Sequence, residues 1–149
     1  MQQTSQKTLG HWELGETIGS GSYAHIRLAQ NANSPATQSV AVKCIAKSKL
    51  RPAVFLREWN LWRNLQHKNI LRALDVMEDE EHVYIFMEYV SGGDLLNFVK
   101  THRTKIPEAI CQKLFVGIVE GLEYCHRNHV CHKDIKLGMV KQEKLARGN

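Results

Sequence analysis

The chain has 149 residues, 43% of them hydrophobic and 23% charged, with a formal net charge of +5. That balance suits one globular domain with a single hydrophobic core and excludes a wholly disordered chain. No uninterrupted apolar run reaches the ~20 residues of a membrane span, and acids interleave the basic residues, which argues against a nucleic-acid surface.

The first eight residues, Met1 to Thr8, are polar and lack the apolar core of a signal peptide. They read as a disordered leader on an intracellular protein, cytoplasmic or nuclear. From Trp12 to Leu28 the apolar residues alternate and glycines interrupt them. Trp12, Leu14 and Ile18 predict a strand leading into a glycine loop; Tyr23, Ile26 and Leu28 predict the strand leaving it. A hairpin of this kind differs from the dinucleotide-binding unit, in which a similar glycine string opens a helix. Asn31-Ala32-Asn33-Ser34-Pro35 reads as a turn, and residues 39–45 as a third strand.

Residues 52–66 carry Phe55, Trp59, Trp62 and Leu65 at helical spacing, with Pro52 suited to the first turn. Residues 70–77 and 82–87 predict two more strands, and the acidic turn Glu78-Asp79-Glu80-Glu81 between them reads as a solvated hairpin tip. Ser91-Gly92-Gly93 breaks the chain. Asp94 opens a short helix through Lys100. Pro107 starts a long helix with the stripe Ile110, Leu114, Ile118, Leu122 and Cys125, widened by Phe115 and Val119, and Asn128-His129 ends it.

Four cysteines without a secretion signal predict reduced thiols rather than crosslinks. Cys125, His126, His129, Cys131 and His132 fall close together, and Cys125 and His129 could share a helical face. Structural zinc sites draw on two separated ligand pairs. The chain offers no second pair, so no metal site is expected from these residues.

Four strings carry more information in order than singly. They are Gly19-Ser20-Gly21-Ser22-Tyr23-Ala24, then Ala41-Val42-Lys43, then Met87-Glu88-Tyr89-Val90-Ser91-Gly92-Gly93-Asp94-Leu95-Leu96, then His132-Lys133-Asp134-Ile135-Lys136-Leu137. Their order and spacing over residues 9–137 resemble the first part of a eukaryotic-type serine/threonine protein kinase domain. The third string is most similar to the calmodulin-dependent-kinase-like group, which includes checkpoint and testis-specific kinases.

The resemblance implies an α+β fold. Residues 9–90 would form a five-stranded antiparallel N-lobe with one main helix. Residues 91–137 would form part of a helical C-lobe, and residues 138–149 a tail without a family counterpart. It also implies ATP as the ligand. Phosphates require close approach of backbone N–H groups, which Gly19 and Gly21 leave open and Ser20, Ser22, Tyr23 and Ala24 complete. Ala24 stands where the family has a third glycine. Lys43, paired with Glu58 on the following helix, would hold the α- and β-phosphates, since a buried lysine without a partner is unfavourable. Ile18, Ile26 and Ala41 would enclose the base, with Met87 as gatekeeper. The connector Glu88, Tyr89 and Val90 would meet the purine edge, and Asp94 would lie near the ribose.

By the same resemblance, Asp134 would orient the substrate hydroxyl and Lys136 would face the transferring phosphoryl group. Lys133 replaces an arginine, and lysine cannot reproduce the bidentate guanidinium fork. The family reaction also needs Mg²⁺. Met139 stands at the position of a metal-binding asparagine, and a thioether suits a hard cation poorly. The 149 residues contain no Asp-Phe-Gly.

The expectation is therefore a truncated kinase-like chain. Its family transfers the γ-phosphate of ATP to serine or threonine of a protein substrate, while the chain itself is inactive or very weak. The alternatives are a non-catalytic, pseudokinase-type module that binds nucleotide or a kinase partner through residues 54–66, and an unstable fragment. Neither nucleic acid nor membrane is an expected partner.

Overall fold

The computed structural model describes residues 7–21, 23–34, 39–102 and 106–142. The chain divides into two compact units, Met1–Asn64 with Leu71–Tyr89, and Leu65–Ile70 with Val90–Asn149.

The first unit is an antiparallel sheet of six strands in the order β1-β2-β3-β4-β6-β5. The strands are β1 (Thr8–Leu9), β2 (Trp12–Ser20), β3 (Ala24–Asn31), β4 (Val40–Ala46), β5 (Ala73–Glu78) and β6 (His82–Glu88), and helix α1 (Pro52–Trp62) follows β4. The expected α+β class holds, with one strand more than the five expected. β1 is only two residues long, too short for any periodic signal. Gly10, at φ 57°, turns the chain back so that Leu9 pairs with Trp12. That backbone region is open to glycine at little steric cost.

Alternation along the strands sorts the side chains onto two faces. One face is closed by Leu9, Leu14, Ala29, Val40, Val42, Cys44, Tyr84 and Phe86, with Trp12 and Met77 packed against them. Phe86 and Val42 are fully buried, and the Trp12 ring stands 5.5 Å from that of Phe86. Burial raises the Cys44 thiol pKa above its ordinary value. β2 carries register shifts between Leu14 and Gly19. There the Arg27 guanidinium donates to the carbonyls of Leu14 at 3.0 Å and Gly15 at 2.7 Å, satisfying acceptors near the bulge.

Lys7 and Thr8 belong to this unit, although the sequence placed them at the end of the leader. Residues 1–6 lie outside the described residues. The Lys7 ammonium donates to Asp79 and to the Tyr84 hydroxyl, each at 2.6 Å, and the Tyr84 hydroxyl donates to Asp79 at 2.7 Å. Asp79 also accepts from the backbone N–H groups of Glu81 and His82 at 2.9 and 2.7 Å, an Asx-type turn. The expected solvated tip is thus organised by one of its acids, and a cation far away in sequence completes it.

The hydrogen bond from Lys7, then that from Tyr84, holds the Asp79 carboxyl well below the usual carboxylate range. The bond to Asp79 raises Lys7 above its ordinary value. A depressed carboxylate stabilises the fold fully above its unfolded pKa of about 4 and loses that contribution as pH falls through the folded value. Acidification below pH 4 is therefore expected to release β1 ahead of the rest of the sheet. Hydrogen exchange at Leu14 N–H, bonded to Lys7 O at 2.9 Å, reads this. An Asp79→Asn variant should show the faster exchange at neutral pH.

Helix α1 buries none of its residues fully. Phe55, Trp59 and Trp62 are half-buried and Leu65 beyond it is buried, so the predicted stripe is the packed side. The helix stops at Trp62, short of Gln66, and the Trp62 indole N–H donates to Leu71 O at 2.8 Å.

The second unit contains α2 (Leu95–His102) and α3 (Glu108–Arg127). Asp94 caps α2 through its side chain, accepting from Asn97 N–H at 2.8 Å. Pro107 precedes α3 as its N-cap residue. Segment Leu65–Ile70 packs on α3: Gln66 N–H donates to the Tyr124 hydroxyl at 3.1 Å, and His67 stacks on Tyr124 at 5.0 Å. Glu120 accepts from Asn69 and pairs with Lys68, each at 2.9 Å. Gly121 makes room, since a Cβ there would lie 3.1 Å from Asn69 O.

Ile110, Leu114, Ile118 and Leu122 are half-buried and Cys125 is buried, as the stripe predicted. Phe115 and Val119, expected to widen that stripe, are instead 67% and 46% exposed, because the Asn69 segment meets the side carrying Gly117 and Gly121. α3 ends in a Schellman arrangement, with His129 N–H to His126 O at 3.0 Å and Val130 N–H to Cys125 O at 2.9 Å, and His129 at φ 58°. Cys125 is buried while His126, His129, Cys131 and His132 are exposed. Among the described residues no group of three such side chains converges as a metal site.

Candidate functional site

Strand register brings several predicted residues together within the first unit. Gly19 lies opposite Ile26, Ile26 opposite Lys43, and Lys43 opposite Ile85, while Ala41 lies opposite Met87. Directly opposed residues, and residues two apart on one strand, share a face. Ile26, Ala41, Lys43 and Met87 therefore line one face of the sheet, opposite to the one that holds Val42, Cys44 and Phe86. Ala41 and Met87 are each 6% exposed, whereas Ile26 and Lys43 are half-buried at the rim. Ile18 falls in the irregular stretch of β2 without a paired partner and is exposed.

The glycine loop is closed by Gly21 N–H to Ala24 O at 2.9 Å. Neither Gly19 nor Gly21 has a positive φ. A Cβ on Gly19 would meet Ile26 at 3.7 Å and one on Gly21 would meet Ala24 O at 3.6 Å, both ordinary contacts. The hairpin does not itself require glycine at either position. Ser20 pairs with His25 at the end of β2, Tyr23 is 74% exposed, Ala24 begins β3, and Ser22 lies outside the described residues.

The expected Lys43–Glu58 ion pair does not form. Glu58 is exposed on α1, and Lys43 has no carboxylate within ion-pair reach among the described residues. α1 buries no residue, so it does not carry Glu58 in against β4. Of the connector, Glu88 ends β6, and its N–H donates to Arg72 O at 3.1 Å. Tyr89 and Val90 follow outside the strand, both half-buried.

In the second unit, Asp134 and Lys136 come together. The Lys136 ammonium donates to the two Asp134 carboxylate oxygens at 3.0 and 2.8 Å, with both side chains 61% exposed. Lys133, at φ 63°, occupies the left-handed region that few non-glycine residues adopt. Met139 closes a short 3-10 turn, Leu137–Met139, and is 47% exposed. Met139 does not fit Mg²⁺, since it offers sulfur to a cation that takes oxygen, and the Asp134 carboxylate is paired with the Lys136 ammonium.

Sequence reading missed Arg27, Lys7 with Asp79, and Lys141. The Lys141 ammonium stands 3.9 Å from the Asp94 carboxylate. Nothing in local periodicity marks such long-range partners.

A glycine-loop hairpin leading into a lysine strand on an antiparallel sheet, with two helices later in the chain and an Asp134/Lys136 pair in the segment after them, is an α+β arrangement. Residues 12–140 match the family model for the protein kinase domain, and the chain belongs to that family. Relatives are protein kinases by name, several of them serine/threonine-protein kinases. CBL-interacting serine/threonine-protein kinase 19 of Arabidopsis thaliana is 36% identical over 132 residues, covering 86% of this chain and 26% of the relative. SNF1-related protein kinase catalytic subunit alpha KIN12, also of Arabidopsis thaliana, is 33% identical over 147 residues, covering 91% and 29%. Probable serine/threonine-protein kinase MARK-C of Dictyostelium discoideum is 34% identical over 134 residues, covering 86% and 17%. The chain thus spans less than a third of the length of these relatives.

Proposed function

We propose that the chain binds ATP through its glycine loop and Lys43 and transfers phosphate very poorly or not at all. One observation carries the nucleotide reading. The ammonium of Lys43, without a carboxylate partner, shares a sheet face with Ile26, Ala41 and Met87, next to glycines that the hairpin itself does not require. Apolar residues on that face suit a base, and the open loop amides and the ammonium suit phosphates. Glu88 N–H is already bonded, so the purine edge falls to Tyr89 and Val90. Asp94 is assigned to the ribose by the resemblance alone.

Asp134 is the candidate for orienting a serine or threonine hydroxyl, and Lys136 for facing the transferred group. Their mutual ion pair and Met139 support the reading of low activity. Electrostatic stabilisers of a transition state are worth about 10²–10³ each in rate. We place the chain in the calmodulin-dependent-kinase-like group on the string from Met87 to Leu96. A cytoplasmic or nuclear location fits four free thiols, and no helix among the described residues is long and apolar enough to cross a membrane. A protein substrate, or a kinase partner meeting α1, is the macromolecular contact that this reading admits.

The test is transfer of labelled γ-phosphate to generic serine and threonine peptides with ATP and Mg²⁺. The expected result is no labelling above background. Robust labelling that disappears in Asp134→Ala would overturn the reading of low activity.

A further inference from the structure

The two strands that carry the glycine loop pair unevenly. Leu14 lies opposite Ala29, Thr17 opposite Arg27 and Gly19 opposite Ile26. Regular pairing onward from Leu14 would set Thr17 opposite Ile26 and Gly19 opposite Ala24. From Leu14 to Gly19, β2 advances five residues while β3 advances three, so each of the two irregular steps holds one extra residue of β2. Burial fixes only one end of this stretch. Leu14 and Ala29 are each 1% exposed, whereas no residue from Gly15 to Ser20 is buried. Register is weakly specified where neither face of a strand is buried. Arg27 acts at this place. Its Nε donates to Gly15 O at 2.9 Å, and its Nη2 donates to Gly15 O at 2.7 Å and to Leu14 O at 3.0 Å. One guanidinium thus ties β3 to the start of the irregular stretch.

We propose that Arg27 is a positioning residue for nucleotide phosphates: it locks β2 in this uneven register and so keeps Gly19 beside Ile26. The inference rests on the nucleotide reading above. Ile26 lies opposite Lys43 on β4, so the register sets Gly19 one strand away from the residue whose ammonium would meet phosphates. In the regular register Gly19 would slide to Ala24, two residues or ~7 Å along β3. Gly21 would leave the place where its N–H meets Ala24 O. The loop amides would then move relative to Lys43. Ala41 and Met87, which face the base in that reading, would stay, since β4 and β6 pair without irregularity. Loss of Arg27 therefore acts on phosphates and spares the base. Lysine offers one nitrogen in place of the planar fork and restores the clamp only in part.

Two measurements test this on the chain, on Arg27→Met, on Arg27→Lys and on Leu9→Ala. One is the set of cross-strand nuclear Overhauser contacts between backbone protons; the other is equilibrium titration with ATP and with adenosine. Arg27→Met should lose the Gly19–Ile26 contact and keep Leu14–Ala29 and Ile26–Lys43. It should bind ATP about tenfold more weakly, the scale of one charge-assisted hydrogen bond, and adenosine as before. Arg27→Lys should fall between, and it decides the matter should Arg27→Met not fold. Leu9 is buried in the same sheet, on β1, so Leu9→Ala lowers stability away from the loop and should leave the ratio of ATP to adenosine affinity unchanged. A Gly19–Ile26 contact that survives in Arg27→Met, equal losses for ATP and adenosine, or the same selective loss in Leu9→Ala would overturn the role of Arg27. An unaltered chain that binds neither ligand would instead remove the nucleotide reading, and the backbone contacts would still decide whether Arg27 sets the register.

Discussion

Phe86→Ala is expected to cost about 3–5 kcal/mol, the range for emptying a large aromatic position in a packed core. Phe86 is fully buried on β6, between β4 and β5 in the sheet order. Its ring packs on Trp12, and its neighbours Val42 and Cys44 have no exposed surface to collapse with. A loss of that size is a large part of the stability of a small domain. Thermal unfolding followed by tryptophan fluorescence should lose its cooperative transition or shift it down by many degrees. Phe115→Ala is the control. Its side chain is 67% exposed, and its removal should move stability by less than about 0.5 kcal/mol. Equal effects of the two would mean that the core lies elsewhere than on this sheet face.

Gly121→Val is the second change expected to act strongly. A Cβ at residue 121 would lie 3.1 Å from the Asn69 carbonyl oxygen, and valine adds two methyl groups beyond it. Overpacking of that kind costs about 1–3 kcal/mol. The contacts at risk are the Tyr124 hydroxyl to Gln66 N–H, the stacking of His67 on Tyr124, and the Glu120 bonds to Lys68 and Asn69. Gly117→Ala should have the opposite sign. Its Cβ would meet the Asn69 side chain at 3.5 Å, an ordinary contact, and the helix gains up to about 1 kcal/mol from replacing glycine. Amide exchange at residues 66 and 69 separates the cases. Faster exchange in Gly121→Val and unchanged or slower exchange in Gly117→Ala are the expected pair of results.

Much of this architecture was legible because it is written in local periodicity. Alternating residues around the glycine loop and the largely apolar runs of β4 and β6 announced strands, and the spacing of Phe55, Trp59, Trp62 and Leu65 announced the packed side of α1. Partners distant in the chain left no such signal. Lys7 is 72 residues from Asp79, and β1 is too short to show a period. An acidic turn looks solvated in sequence whether or not a lysine returns to it. The stripe on α3 was read too wide because Phe115 and Val119 are apolar, and periodicity cannot say which flank a neighbouring segment covers. Gly117 and Gly121 were the available clue, since small residues on a helix admit close approach of another backbone. The Lys43–Glu58 pair was expected from resemblance, and no local pattern predicts how closely a helix docks on its sheet. The pairing of Lys141 with Asp94 follows from a backbone bridge that only three-dimensional structure reveals.

The central claim is that Lys43 and the glycine loop hold nucleotide phosphates without help from a protein-bound metal. Its most direct test is a thermal-shift titration with millimolar ATP, with and without Mg²⁺, on the chain and on Lys43→Met. A ligand at ten times its dissociation constant adds about 1.4 kcal/mol, a shift of about 3–5 °C for a domain of this size. The account predicts a small shift in the chain that changes little with Mg²⁺ and is lost in Lys43→Met. No shift in either protein, or a large shift that requires Mg²⁺, would contradict it.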